Sequence, residues 1–184
     1  LKVFYHGEIF ESIYSPSVFK AGRNVVAYID GTSSEFGIFY KGDNVEAEPF
    51  KPLSFKMGDE MVVYVDYSGS FKAFYNGETY PISSFKPEFY YVKDDIVLFG
   101  DGDLFKVFYK GEVSTLENYI PKKYYVDNSL VAYIGQFGFL RCFYQGESYK
   151  LSDEKVSNVV VAGNTISYTE GLNTNKVFSN GKTY

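Results

Sequence analysis

The chain has 184 residues, 45% of them hydrophobic, with 19 Tyr, 18 Phe, no Trp and one Cys, and a formal net charge of −5. That length suffices for one substantial core or one repeat array. The acidic balance argues against a nucleic-acid partner or an anionic membrane surface, both of which need clustered basic groups, and no apolar run nears the roughly 18 residues of a spanning helix.

Taken in chain order, residues 1–13 open with Phe4-Tyr5-His6-Gly7. The same aromatic pair, one variable residue and Gly return as Phe39-Tyr40-Lys41-Gly42, Phe74-Tyr75-Asn76-Gly77, Phe108-Tyr109-Lys110-Gly111 and Phe143-Tyr144-Gln145-Gly146. A decayed copy follows at Phe178-Ser179-Asn180-Gly181. The intervals between the Phe residues are 35, 35, 34, 35 and 35. A fixed period of this size marks a repeat architecture, and what repeats is best read as scaffold. The aromatic fraction of 20% leans the repeat towards strands.

Each period reads as four strands. A first stretch lies at residues 18–19, 53–55, 89–92, 124–126 and 159–161, and a second, more apolar one at 25–29, 61–65, 96–99, 130–134 and 165–168. Between them stand Gly22-Arg23-Asn24, Gly58-Asp59, Asp94-Asp95, Asp127-Asn128 and Gly163-Asn164, which is the hairpin signal. The third strand carries Phe-Tyr and turns through Gly into a Glu-led fourth strand, as at 78–82, 112–116 and 147–151. All six prolines fall in the fourth strand or the connection after it, so that strand is expected at the sheet edge. No stretch holds a helical period.

These residues predict an all-β chain of four-stranded antiparallel units, near 1–13 (a half unit), 14–48, 49–83, 84–117, 118–151 and 152–184, within a single domain over 1–184. Such units resemble the blades of a β-propeller, although without a Trp-Asp pair or a kelch-type double glycine. The resemblance implies five complete blades plus a half blade, with a six-bladed parent favoured. An open β-solenoid or repeat array is the alternative.

A propeller built this way has one face of near-identical turns and one of variable loops, at residues 30–36, 66–70, 100–104, 135–139 and 170–175. Variable loops on a uniform scaffold are where specificity is built. Binding candidates there are Asp30, Asp66, Tyr67, Asp101, Asp103, Phe137 and Glu170. The acids read as a ring of carboxylates or, more simply, as turn-initiating residues, and Asp101-Gly102-Asp103 as a hairpin turn in preference to a calcium site. Aromatics in the connections (Tyr14, Phe50, Phe85, Tyr119) are expected to wedge between blades, with Phe137 the exception because no other loop has a counterpart. Lys2, Lys72, Lys106, Arg141 and Lys176 precede the small apolar residue of the third strand, and are expected to pair across to the acids that open the outgoing strand, Glu8, Asp43, Glu78, Glu112 or Glu147.

Chemistry is sparse. Cys142 takes the slot of Val3, Ile38, Ala73, Val107 and Val177, which reads as a buried apolar role and not a nucleophile. The lone His6 fills a turn position. No cofactor or metal is expected, and a two-carboxylate glycosidase has no marked pair to support it. The reading is a non-enzymatic protein-interaction module. The alternatives are a carbohydrate-binding propeller and a structural segment of a larger surface or envelope protein. The lack of an initiator Met and of a signal peptide reads as a processed start, with a secreted or cell-envelope setting favoured.

Overall fold

A computed structural model describes residues 1–11 and 15–184. Tyr14, one of the connection aromatics, lies outside the described residues. The chain divides into two compact units, Leu1–Pro87 and Glu88–Tyr184.

In the first unit, β1 (Lys2–Tyr5) and β2 (Glu8–Glu11) form a two-stranded hairpin. The strands β3 (Pro16–Ala21), β4 (Val25–Asp30), β5 (Phe36–Tyr40) and β6 (Asp43–Glu48) form a four-stranded antiparallel meander. A second meander follows: β7 (Ser54–Met57), β8 (Met61–Val65), β9 (Phe71–Tyr75) and β10 (Glu78–Ser83). In the second unit, three more meanders run β11 (Tyr90–Lys93), β12 (Ile96–Asp101), β13 (Leu104–Tyr109), β14 (Glu112–Glu117); β15 (Lys123–Asp127), β16 (Leu130–Ile134), β17 (Leu140–Tyr144), β18 (Glu147–Lys150); and β19 (Val156–Ala162), β20 (Thr165–Glu170), β21 (Thr174–Ser179), β22 (Lys182–Thr183). Each four-stranded sheet is one blade. The sheets are separate, whereas a solenoid would pair strands of successive repeats into continuous sheets.

The Gly turns explain themselves. The residue before Gly has a left-handed φ of 49° at His6, 51° at Lys41 and Asn76, 48° at Lys110, 50° at Gln145 and 50° at Asn180. The following glycines are also left-handed, which makes the type I′ turn that suits strand twist. Pro16 departs from the expected placement. It is the first residue of β3 and not part of the connection, a position where the missing N–H costs no ladder bond. Pro81 sits inside β10 opposite Lys72, at a register shift that relieves the lost donor.

Alternation sets the core. In the first unit Val25, Ala27 and Ile29 of β4 and Phe36, Ile38 and Tyr40 of β5 pack on Val62, Tyr64 and Phe74 of the next blade. In the second unit Ile96, Leu98, Phe105 and Val107 meet Val131, Tyr133 and Phe143. Leu130, Ala132, Leu140, Cys142 and Tyr144 meet Ile166, Tyr168 and Phe178. Within each unit, one face of a blade therefore serves the next. The first strands of neighbouring blades approach each other, β3 with β7, and β11 with β15 with β19.

Candidate functional site

The turns between first and second strands are tied to one another. The amides of Arg23 and Asn24 donate to the Asp59 carbonyl at 2.8 and 3.2 Å. The Arg23 guanidinium lies 2.8 Å from the Asp59 carboxylate. In the second unit Ser129 Oγ donates to Asp95 Oδ1 at 2.5 Å, and the Gly163 amide donates to Asp127 Oδ2 at 2.8 Å. That amide, foremost, holds the Asp127 carboxyl below its ordinary pKa. This face uses its polar groups to lock blade to blade.

On the opposite face the acids are also engaged within the fold. Asp30 Oδ1 accepts from the amides of Thr32 and Ser33 at 2.6 and 3.0 Å, and those two amides, Ser33 first, lower its pKa. Asp66 is buried. It meets Lys72 Nζ at 2.8 Å and accepts from the Ser68 hydroxyl at 2.7 Å and the Ser70 amide at 2.9 Å. Burial alone would raise its pKa, but Lys72, Ser68 and Ser70 outweigh burial and hold the carboxyl at about 2. Lys106 Nζ lies 2.6 Å from Asp101, and exposed Asp103 follows the left-handed Gly102 in a tight hairpin. Buried Glu170 pairs with Lys176 and accepts from the Asp153 amide at 2.6 Å, and Lys176 is the leading cause of its lowered pKa.

The expected partners of the basic stripe are corrected here; of the five bases Lys2 does pair across to its outgoing strand, but with Glu11 opposite it and not with Glu8. Lys72 reaches Asp66 and, at 2.7 Å, Glu48 of the preceding blade. Lys106 meets Asp101, Arg141 meets Glu117 at 3.6 Å, Lys176 meets Glu170, and Lys2 meets Glu11 at 3.0 Å. The reason is register. Opposite Lys72 stands Pro81, while Glu78 stands opposite Tyr75 at the turn. The sequence held a usable signal. In three of the four loops that start with an acid (Asp66, Asp101, Glu170) the third strand carries Lys, after Asp30 it carries Gly37, and where the loop starts with Gly135 the base is Arg141, turned towards Glu117.

The expectation that connection aromatics wedge between blades is corrected for two of them. Phe50 and Phe85 are exposed. Phe50 and the exposed Tyr67 lie 5.6 Å apart, a surface aromatic pair. Tyr119 is half-buried and its hydroxyl accepts from the Gln136 amide at 2.7 Å, which braces the loop that carries Phe137. That loop closes through Gly135 N to Phe139 O and Gly138 N to Gly135 O, both at 2.9 Å, and leaves Phe137 71% exposed.

Beside Phe137 a cavity of about 660 Å³ opens between the blades of β15–β18 and β19–β22, lined by Tyr119, Ile120, Ile134, Val156 and three lysines, Lys122, Lys123 and Lys155. All three lysines are exposed, and among the described residues none of them joins an ion pair. Sequence reasoning missed these lysines because they sit at different positions in two repeats and converge only through the connection and the next blade's first strand. It also missed Leu172, 94% exposed in the last variable loop.

The chain matches the 10-bladed beta propeller domain over residues 1–184. It belongs to that family. The family's description counts ten blades, against the six favoured from the sequence; the described residues of this propeller chain form five four-stranded blades and a two-stranded half. No curated protein matches it in sequence. Among solved structures, human WBSCR16 is 10% identical over 94% of this chain and 63% of its own, with a TM-score of 0.47. Yeast RCC1 (Prp20) bound to Kap60 is 10% identical over 86% and 54%, with a TM-score of 0.45. The computationally designed Ika8 protein is 14% identical over 90% and 59%, with a TM-score of 0.43. The propeller chain thus spans 54% to 63% of the lengths of these proteins.

Proposed function

We propose that this propeller is a non-enzymatic protein-interaction module that binds through its variable-loop face, and that the groove beside Phe137 takes an acidic, partly apolar segment of a partner. One observation carries the reading: three lysines without ion partners among the described residues converge on an apolar cavity in a chain of net charge −5. A local basic cluster on an acidic chain steers an acidic partner and sets register more than affinity. Phe137 supplies the exposed aromatic that interface anchors favour, while Ile120, Ile134 and Val156 offer surface for an apolar side chain.

The test is capture from native extract with the wild-type chain beside a variant carrying Phe137→Ala, Lys122→Glu and Lys123→Glu. The expected result is a protein retained by wild type, lost by the variant and released by moderate salt. Equal capture by both removes this groove from the reading. A carbohydrate reading rests on one other feature, the exposed Phe50–Tyr67 pair beside Ser68. A glycan array with wild type and Tyr67→Ala tests it, and signal that survives Tyr67→Ala removes it.

A further inference from the structure

Building on the reading of the Phe137 groove as a partner surface, we propose that Gly135 marks a carboxylate-binding site. An Asp or Glu side chain of the partner segment fills it, at the place where other blades carry an acid of their own.

The loop at 135–139 repeats the loop at 66–70 bond for bond. The Asp66 amide donates to the Ser70 carbonyl at 2.9 Å, and the Gly69 amide to the Asp66 carbonyl at 3.1 Å. The Gly135 amide donates to the Phe139 carbonyl and the Gly138 amide to the Gly135 carbonyl, both at 2.9 Å. Gly69 and Gly138 are both left-handed, with φ of 94° and 87°. Gly135 therefore stands where Asp66 stands, Arg141 where Lys72 stands, and Glu117 where Glu48 stands. Lys72 holds two acids, Asp66 at 2.8 Å and Glu48 at 2.7 Å. Lys106 and Lys176 also meet the acid of their own loop, Asp101 and Glu170. Among the described residues Arg141 meets one acid, Glu117, at 3.6 Å. Its own loop contributes none.

Neither backbone nor space calls for glycine here. Gly135 lies outside the left-handed region, and a Cβ would make ordinary contacts: 3.4 Å to Tyr119 Oη, 3.6 Å to the Phe139 carbonyl oxygen and 3.9 Å to Arg141 Nε. The place thus opens onto two donors. The planar guanidinium carries five N–H groups, enough to serve a second carboxylate beside Glu117. Tyr119 Oη accepts from the Gln136 amide at 2.7 Å, which leaves its own proton to give. The Phe139 amide stands where the Ser70 amide donates to Asp66 at 2.9 Å.

A pocket of about 180 Å³ occupies this place, with Asn118, Tyr119, Gln136, Phe137 and Arg141 in its lining. It shares Tyr119, Gly135 and Gln136 with the larger cavity that holds Ile120, Ile134 and Val156. An ion pair with an exposed Arg is weak by itself. A peptide segment adds to it by setting an apolar neighbour of its acid in the larger cavity, which a small free carboxylate does not do.

The experiment supplies the acid in two ways and follows the Arg141 Nε–Hε resonance of the full chain by NMR. In trans, the probe is the blocked peptide acetyl-Gly-Leu-Glu-Leu-Gly-amide, beside its Gln counterpart and sodium acetate. The Glu peptide is expected to shift the resonance saturably, with the Gln peptide and acetate each at least about fivefold weaker. In cis, Gly135→Asp is expected to abolish that shift. It should also raise the thermal midpoint by about 2 °C or more, a gain lost when Arg141→Gln is combined with it. No saturable shift, equal binding of the Glu peptide and either control, or a shift that survives Gly135→Asp overturns the proposal. So does a midpoint change that is the same with and without Arg141. Failure here is separable from failure of the groove. A partner lost by the Phe137, Lys122 and Lys123 variant but retained by Gly135→Asp removes the carboxylate site and leaves the groove, and a Glu-peptide shift in a chain that captures no protein does the reverse.

Discussion

The Tyr40 hydroxyl donates to Asn76 Oδ1 at 3.2 Å, joining the third strand of one blade to the Gly turn of the next. The ring meets Phe74 edge to face at 5.5 Å and covers Gly77, whose added Cβ would lie 3.5 Å from it. The relation recurs with Tyr5 and Phe39, Tyr109 and Phe143, and Tyr144 and Phe178, at 6.2, 5.9 and 5.7 Å. The conspicuous pair of the sequence is therefore a blade-to-blade fastener, Phe receiving and Tyr reaching forward. Tyr40→Phe should remove only the hydrogen bond and cost about 1 kcal/mol. Tyr40→Ala should cost about 3–5 kcal/mol by opening a cavity against Phe74. Urea unfolding of the two variants reads both, and equal losses would show that the ring contact contributes little.

Gly22 is held by its neighbour blade and not by its own backbone angle. A Cβ there would stand 2.2 Å from the Gly58 carbonyl oxygen and 2.8 Å from that of Asp59. Those are backbone atoms of an adjoining turn, so relief requires the turns to part and the Arg23 and Asn24 amides to release Asp59. Gly22→Ala is expected to destabilise by about 2 kcal/mol or more. Chemical denaturation measures it, and a loss below about 0.5 kcal/mol would show that the two turns move apart freely.

Acid stability should report on Asp66. Its folded pKa, about 2, lies below the ordinary value of 3.8, so the ionised form stabilises the fold above the higher value. That contribution is lost as pH falls from about 4 towards about 2. Asp66→Asn should be less stable than wild type at neutral pH and show a flatter decline across that window. Parallel decline of the two proteins would assign the acid sensitivity to other carboxylates.

Cys142 should be inert while folded. Burial pushes its thiol up to about 12, and the side chain is 1% exposed. Reaction with an aromatic disulfide at pH 8 should be at least about a thousandfold slower than in the denatured chain, since the thiolate is the reactive form. Cys142→Val should cost less than about 1.5 kcal/mol, because the slot holds Val in three other repeats. Fast labelling of the native protein would mean that β17 opens readily.

The strands, their order within each blade and the turn positions could be read from the repeat, because each depends on local rules: alternation, Gly at a two-residue turn, Pro away from central ladders. The period alone makes Phe4, Phe39, Phe74, Phe108, Phe143 and Phe178 equivalent. Yet Phe4 is 74% exposed while Phe39 and Phe74 are 1% exposed; Tyr5 and Tyr40 of the preceding units meet those two rings, a contact between units that the motif within one unit does not encode. The cross-blade partner of Lys72 was likewise invisible. Lys72 lies six residues from Asp66 and twenty-four from Glu48 along the chain, and only the stacking of one blade's third strand over another's fourth brings all three together. The same holds for the groove beside Phe137. Lys122, Lys123 and Lys155 come from two repeats, and their convergence is a property of how sheets stack, a relation between units that a pattern within one unit does not encode.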